Sequence, residues 1–322
     1  MEVSYSLPKY RTRLFSFFFD LMCMVILALL GVFAMQAIMN NTPYYKNANQ
    51  TLNRLQLESG LYVERKDGTT KLMCEYYRVE KEEQYDEYNK KFDEALTAFY
   101  KNPKFFNQED PKSGIYLYNT LKIPEGQSES KLFIYEDESK TVIVEKPDAA
   151  KNLLNDFYTQ VMSEKAVAYV VNNLEYVEAT KTITLTFIFV ILLVPVVLSV
   201  FIFELIIPLC LRRGRKTLGK LIFKIAVVDN RGLSAPLLRF LARFSLFFVV
   251  EVILGIVTFA IPLIVSFTMM VFSKKNQSFH DYVAGTYVVE APMSSICMNE
   301  EEYIKKHERD EKFVLNKEDV DL

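Results

Sequence analysis

The residues most able to do chemistry are charged side chains inside long apolar segments. Asp20 lies in the apolar run of residues 14–38, which follows the basic residues Lys9, Arg11 and Arg13. A helix needs about 20 apolar residues to cross the hydrocarbon core of a bilayer. An ionisable side chain in such a helix costs roughly 2.5 kcal/mol or more, so by default it faces other protein groups and marks a functional position. Asp20 therefore predicts a membrane protein with a buried polar centre.

Two further apolar blocks carry charges at comparable depths. Glu204 and Asp20 should each lie about 10 Å from the end of a helix, given a rise of about 1.5 Å per residue. Arg239 and Arg243 are one turn apart on one helical face, and Glu251 is about two turns deeper. Three acids and two arginines are thus predicted to converge within the bundle.

One acid is in excess in this predicted cluster. The surplus carboxyl group would be protonated or would hold a cation, which is the chemistry that a proton or sodium pathway requires. A structural alternative stays open. In that alternative Arg239 extends to the lipid headgroups, Asp20 and Arg243 form a fixed strut, and Glu251 faces a partner subunit or is protonated.

The apolar blocks predict an all-α polytopic membrane helical bundle with three or four transmembrane helices. The blocks are residues 14–38, 182–211 and 237–272. The third block is long for a single crossing, and a break near residues 255–262 would divide it into two helices. Four crossings place every cluster of Lys and Arg on the cytoplasmic side, as expected for short loops. Both termini would then be cytoplasmic, whereas three crossings would place the tail outside.

The long polar segment between the first two blocks is predicted to be an inserted, extracytoplasmic α+β domain. Its alternating apolar residues and turn signals predict two hairpins, and its helical spacing predicts two helices. The elements are residues 61–63 with 71–79, residues 131–135 with 141–144, residues 82–100, and a helical stretch that begins at Asp148. The many tyrosines of this domain either line a ligand cleft or belong to its core and surface.

Four regions follow from these boundaries. Residues 1–39 hold the cytoplasmic N-terminus and transmembrane helix 1, and residues 40–181 form the extracytoplasmic domain. Residues 182–290 hold the remaining transmembrane helices with short cytoplasmic β segments, and residues 291–322 form a charged cytoplasmic tail, expected to be a solvated helix that fades into disorder. Two of the β segments, residues 225–228 and 286–290, are predicted to pair.

Composition argues against several classes of function. The four cysteines are scattered without the spacing of a metal site or a disulfide framework, and there are only two histidines. We therefore expect no cofactor, no bound metal and no enzymatic activity. The net charge of −2 gives no indication of nucleic-acid binding. The absence of tryptophan and the abundance of Lys, Tyr, Phe and Asn suggest an AT-rich bacterial genome.

Three motifs, in this order, resemble the RDD family of membrane proteins. They are RLFSFFFD at residues 13–20, TLGK at 217–220 leading into IAVV at 225–228, and NQSFHDYVAGTYVVE at 276–290. The resemblance covers residues 10–39 and 182–290. The chain differs from the compact form of the family because a large domain separates its first two helices.

The resemblance implies specific positions for the residues that give the family its name, an arginine at the start of the first helix and two aspartates. By position these are Arg13, Asp20 and Asp281. Arg239 and Arg243 fit the basic start of the family's third helix. Asp281 either caps the chain or accepts a bond from Arg13, and His280 could relay protons because a free imidazole has a pKa near ~6.5.

Two functions stay open. Transport of ions or small solutes has been proposed for the family, and it would be of the cation/proton exchange type here. The predicted cluster for it is Arg13, Asp20, Glu204, Arg239, Arg243, Glu251, His280 and Asp281. The alternative is a non-catalytic envelope protein whose extracytoplasmic domain binds a ligand or a protein partner, with the helices as anchor or signal relay. Expected partners are the lipid bilayer, an ion or small solute, and an envelope protein or a second copy of the chain.

Overall fold

The computed structural model describes residues 5–78, 81–136, 142–292, 295–306 and 308. The chain forms two compact units. The first consists of Met1–Gln36 and Val190–Leu322, and the second of Ala37–Phe189.

The elements are numbered in chain order. The helices are α1 Tyr10–Asn40, α2 Pro43–Glu58, α3 Met73–Tyr76, α4 Tyr85–Tyr100, α5 Ile115–Lys122, α6 (the consecutive stretches Lys151–Gln160, Val161–Ala166 and Val167–Val171), α7 Leu174–Cys210, α8 Leu218–Ile222, α9 Leu237–Val257, α10 Ile261–Phe272 and α11 Phe279–Val283. The strands are β1 Tyr62–Glu64, β2 Thr70–Leu72, β3 Phe133–Tyr135, β4 Ile143–Glu145, β5 Ile225–Asp229 and β6 Thr286–Glu290.

Among the described residues, three helices, α1, α7 and α9, are long and apolar enough to cross a membrane, and α10 is a shorter apolar helix of 12 residues. The predicted break in the third apolar block is present between α9 and α10. Phe259 and Ala260 have positive φ angles of 51° and 67°, and Pro262 lies in the first turn of α10, where its missing N–H is tolerated. The chain therefore leaves α9 and starts a separate helix.

Helices α7 and α9 depart from regular α geometry at Thr186–Leu192 and at two stretches that carry acidic residues. Ile202–Ile206 in α7 and Phe247–Ile253 in α9 are π-helical, and they contain Glu204 and Glu251. Wide turns of this kind are rare in proteins. Those that do occur are often at functional sites, because they displace side chains from the regular helical face.

Strands β5 and β6 form an antiparallel pair in the first unit, as predicted. Their register runs from Ile225 opposite Glu290 to Asp229 opposite Thr286. The alternate side chains of the pair are buried in two small apolar clusters, one of which includes Ile296. Ile296 and Cys297 are both buried, so the start of the tail packs into the core and the prediction of a solvated tail was wrong there. Most of the remaining tail, from residue 309 on, lies outside the described residues.

The second unit is mainly helical and has two short antiparallel hairpins, β1–β2 and β3–β4. Each strand has only three residues, and the chain turns into α3 directly after β2, so the predicted strand over residues 71–79 was too long. Val79 and Thr141, at the ends of two predicted strands, lie outside the described residues. A core of aromatic side chains holds the unit together, and Tyr100 and Tyr118 stack within it at a centroid distance of 5.2 Å.

Candidate functional site

The first unit contains a cavity of about 520 Å³ between its helices. Its wall is mostly apolar, yet charged side chains from α1, α7, α8, α9 and α11 reach it. The ionisable residues that line it are Arg13, Asp20, Glu204, Lys220, Arg243, Glu251 and His280. Six of these were predicted from the sequence to belong to one cluster. Helix packing therefore brings together charges that are up to 267 positions apart in the chain.

Asp281 joins two of the arginines behind this wall. Its Oδ2 lies 2.6 Å from Nη2 of Arg13, and its Oδ1 lies 2.7 Å from Nε of Arg243. Ser278 donates to Oδ2 at 2.7 Å, and Ser278 and Asp281 form the capping box that begins α11. Arg13 also donates to the carbonyl oxygen of Asn276. The predicted bond between Arg13 and Asp281 is thus present.

The electrostatics of Asp281 keep it ionised. Burial alone would raise the pKa of this carboxyl group, but the guanidinium groups of Arg243 and Arg13 more than offset it and hold the pKa well below its usual range. A carboxyl pKa that is lower in the folded state stabilises the fold at every pH above the unfolded value of about 3.9. That stabilisation is lost only as the pH falls below this value, so Asp281 does not titrate between pH 5 and 8.

Glu251 and His280 form a second pair on the cavity wall. Oε1 of Glu251 lies 2.7 Å from Nδ1 of His280, and the hydroxyl of Ser266 donates to the same oxygen at 2.7 Å. On the other side of the ring, Nε2 lies 3.2 Å from Nη2 of Arg243. The ring of Phe247 packs edge-on against the imidazole, with the centroids 5.7 Å apart. The imidazole therefore bridges a carboxylate and a guanidinium.

Asp20 is 1% exposed, and its carboxylate accepts hydrogen bonds from donors in α8 and in the residue that precedes α8. Its carboxylate accepts from the hydroxyl of Thr217 and, at 2.7 Å, from the backbone N–H of Gly219. The predicted strut between Asp20 and Arg243 was wrong, because these two donors from the α8 region satisfy the carboxylate instead. The expectation of a polar companion for Asp20 was correct.

Glu204 is the least constrained acid of the cavity. Its Oε2 lies 4.0 Å from Nζ of Lys220, at the limit of an ion pair, and no hydrogen bond to its carboxylate is present within the described part of the chain. Lys220 Nζ also lies 3.2 Å from the hydroxyl of Thr217. Lys220 contributes a charge to the cavity that the sequence had only indicated as part of a basic cytoplasmic cluster.

Arg239 lies apart from the other predicted residues. Its Nη1 is 3.7 Å from Oδ2 of Asp229 at the end of β5, and its side chain is 43% exposed. Its predicted place in the cluster was wrong, because one helical turn separates it from Arg243 and Asp229 offers it a partner outside the cavity.

Three polar residues of the site were missed as functional candidates: Thr217, Ser266 and Ser278. Thr217 and Ser266 act through tertiary contacts, with Asp20 and Glu251, that no spacing reveals. Ser278 and Asp281 do have the three-residue spacing of a capping box, and that signal could have identified Ser278. Among the residues that the structure describes, no group of three or more His, Cys, Asp or Glu side chains is placed to hold a metal ion.

The fold and site define an integral membrane protein with a charged cavity among its helices. Residues 157–285 match the RDD family, so the chain carries an RDD family region. The match includes Glu204, Arg243, Glu251, His280 and Asp281, and it does not extend to α1, where the motif of residues 13–20 lies. No curated protein and no solved structure gave a match to the chain.

Proposed function

We propose that the first unit transports a small monovalent cation across the membrane in exchange for protons. The supporting observation is the net charge of the ionisable side chains that line the cavity, taken together with Asp281 behind its wall. We call this set the cavity group. Four carboxylates, those of Asp20, Glu204, Glu251 and Asp281, stand against the three cationic side chains of Arg13, Lys220 and Arg243. With His280 neutral, one negative charge is left over in an apolar surrounding. A single bound cation or a single proton would neutralise it.

Glu204 is the proposed cation ligand. Asp281 is held by two guanidinium groups, Asp20 by two hydrogen-bond donors, and Oε1 of Glu251 by Ser266 and His280, so each of these carboxylates already has two close partners. The carboxylate of Glu204 has only Lys220 at 4.0 Å, and a cation can displace that contact at little cost. A divalent ion such as Ca²⁺ prefers six to eight oxygens, often from several carboxylates, so one loosely held carboxylate favours a monovalent ion.

Cation flux into sealed vesicles tests this function. Vesicles with wild-type protein are expected to take up Na⁺ or Rb⁺ when protons leave down an imposed pH gradient. Glu204→Gln should lower the flux about tenfold or more, because an interaction with a charged group contributes roughly 1.5–3 kcal/mol and 1.4 kcal/mol is tenfold in affinity. Arg239→Gln is the matched control, since it removes a charge outside the cavity. Equal flux through the wild type and Glu204→Gln, or none through the wild type, would contradict the proposal.

We further propose the four-crossing orientation, with both termini cytoplasmic and residues 40–181 extracytoplasmic. The native thiols are poor reporters because Cys297 is 2% exposed. Single cysteines at the exposed positions Lys66 and Lys274, in a chain whose four native cysteines are replaced by serine, report each side instead. A membrane-impermeant thiol reagent on intact cells should label Lys66→Cys and should not label Lys274→Cys. Labelling of Lys274→Cys would support three crossings.

A second function, ligand binding by the second unit, is favoured by one observation. A cavity of about 530 Å³ in this unit is lined by Tyr100, and the buried hydroxyl of Tyr100 has no hydrogen-bond partner within the described ranges. Tyr100 is 0% exposed, so a ligand with a polar group would satisfy this hydroxyl by displacing the side chains that cover it. Native mass spectrometry that finds a small molecule on the wild type and not on Tyr100→Phe, together with no cation flux, would favour this function over transport.

A further inference from the structure

We infer that Glu251 and His280 together form the proton-binding site of the exchange, apart from the cation ligand Glu204, and that one proton exchanges for one cation. The inference rests on the proposed transport function. It assigns to the pair a chemical role that neither residue has alone, because the carboxylate of Glu251 in α9 orients and stabilises the imidazole of α11 that takes up the proton.

The hydrogen-bond partners fix the unloaded state of the pair. Arg243 is a donor at every nitrogen, so Nε2 of His280, 3.2 Å from Nη2, must accept. The hydrogen of the neutral imidazole is then on Nδ1, where it points at Oε1 of Glu251 at 2.7 Å. The unloaded pair thus consists of an ionised carboxylate and a neutral ring, with a net charge of minus one.

A second proton has a defined place on Nε2. The hydroxyl oxygen of Ser278 lies 3.0 Å from this nitrogen and can accept from it, while Oδ1 of Asp281 lies 3.8 Å away and adds attraction. Loading therefore forms an imidazolium with an acceptor on both sides, and the pair becomes neutral. Protonation of Nε2 removes the acceptor that faced Nη2 of Arg243, so this end of the guanidinium must turn away. Nε of Arg243 keeps its 2.7 Å contact with Asp281.

Most of the remaining charged groups around the ring are already engaged by other partners. Arg243 of α9 and Arg13 of α1 stay protonated at all physiological pH values. Asp281 of α11 is bound by both of them. Helix α10 contributes the hydroxyl of Ser266, and β6 carries Tyr287 and the exposed Glu290. Across the cavity lie Asp20, Glu204 and Lys220, and the first of these is engaged by Thr217 and Gly219.

The proton on His280 and the cation at Glu204 exclude each other because only one surplus negative charge is available to either of them. With the proton on His280 the cavity group is neutral, so a cation at Glu204 would add an uncompensated positive charge in an apolar cavity. With the cation at Glu204 the same argument disfavours the proton. Linkage requires that each weaken the other by the same factor. One proton crosses the membrane for each monovalent cation that crosses in the opposite direction, so the exchange is electroneutral.

Nitrogen NMR of the imidazole tests the site directly in the full-length chain. His280 and His307 are the two histidines, so His307→Gln leaves one imidazole to observe. We expect the Nδ1–H tautomer at high pH and protonation of Nε2 as the pH falls. Saturating Rb⁺ should move this titration to lower pH relative to N-methylglucamine at equal ionic strength, and Glu204→Gln should abolish the shift. An Nε2–H tautomer at high pH, or a titration that Rb⁺ does not move, would overturn the inference.

Flux measurements separate this inference from the proposed function. In wild-type vesicles the apparent affinity for Na⁺ should fall about tenfold per pH unit below the titration midpoint, and Na⁺ flux should not respond to a membrane potential set by valinomycin and K⁺, because valinomycin does not carry Na⁺. Glu251→Gln removes the surplus negative charge, so it should leave the cation affinity low and independent of pH, whereas the exposed Glu290→Gln should retain the affinity and its pH dependence. Flux with an unchanged pH dependence in Glu251→Gln overturns the proton site and leaves transport intact. No flux in the wild type overturns transport itself, and the transport role of the pair with it.

Discussion

Replacement of Asp281 by asparagine is expected to lower the free energy of unfolding of the first unit by about 3–5 kcal/mol, the usual cost of removing one partner from a buried ion pair. The carboxylate is fully buried and contacts guanidinium groups from two helices, Arg13 at 2.6 Å and Arg243 at 2.7 Å. Asparagine retains the size of the side chain but leaves two buried positive charges without a counter-charge. The large effect comes from these orphaned cations.

The buried thiol of Cys297 provides the measurement. In a chain with the other three cysteines replaced by serine, a thiol-reactive dye reports the temperature at which the first unit opens. The matched control is Glu300→Gln, which removes an exposed ion pair with Arg231 and should change stability by less than about 1 kcal/mol. Equal unfolding temperatures for the two variants would show that Asp281 does not stabilise the first unit by compensating the charges of the two arginines.

Replacement of Gly219 by alanine should destabilise the first unit by about 1–3 kcal/mol or more and should abolish the flux proposed above. A Cβ at this position would overlap the backbone oxygen of Ser16 and would lie 2.9 Å from Oδ2 of Asp20. Both neighbours belong to α1, so α1 and α8 must separate. The backbone N–H of Gly219 would then lose its 2.7 Å bond to Asp20, and a buried carboxylate would be left with one donor fewer.

Gly255→Ala is the matched control for this substitution. It also replaces a helical glycine, but the nearest atom to its Cβ would be Cδ1 of Leu263 at an ordinary 3.8 Å. Alanine there should be neutral or stabilising by up to about 1 kcal/mol, because alanine favours helix more than glycine does. The two variants are compared by the Cys297 dye assay and by flux. Similar losses in both would contradict the close approach of α1 and α8.

Much of the membrane region could be predicted from the sequence because its signals are local. Apolar length indicated α1, α7 and α9, and Pro262 together with nearby glycine indicated the break before α10. Short β-rich runs indicated β5 and β6. The hairpins of the second unit were also predicted, although their strands are shorter than their alternating patterns suggested, since aromatic residues after β2 pack as a helix instead.

The pairing within the site could be predicted only in part, because partner choice depends on tertiary geometry. A bond from Arg13 was one of two roles predicted for Asp281, and the resemblance to the family supplied only the positions of the two residues. The partners of Asp20 did not, since a hydroxyl and a backbone N–H leave no charge pattern in a sequence. Arg239 was misplaced because helical spacing defines a face and does not reveal that Asp229, ten residues earlier in the chain, satisfies the guanidinium. The π-helical turns at Glu204 and Glu251 have no sequence signal known to us.

The central claim is that one negative charge in the cavity is left to bind a monovalent cation at Glu204. Anomalous diffraction from crystals of the full-length chain grown with a thallous salt tests it most directly. The account predicts a peak inside the cavity, in contact with the carboxylate of Glu204, that disappears in Glu204→Gln and persists in Arg239→Gln. Thallous ions bound at exposed carboxylates, with no peak in the cavity of the wild type, would contradict it.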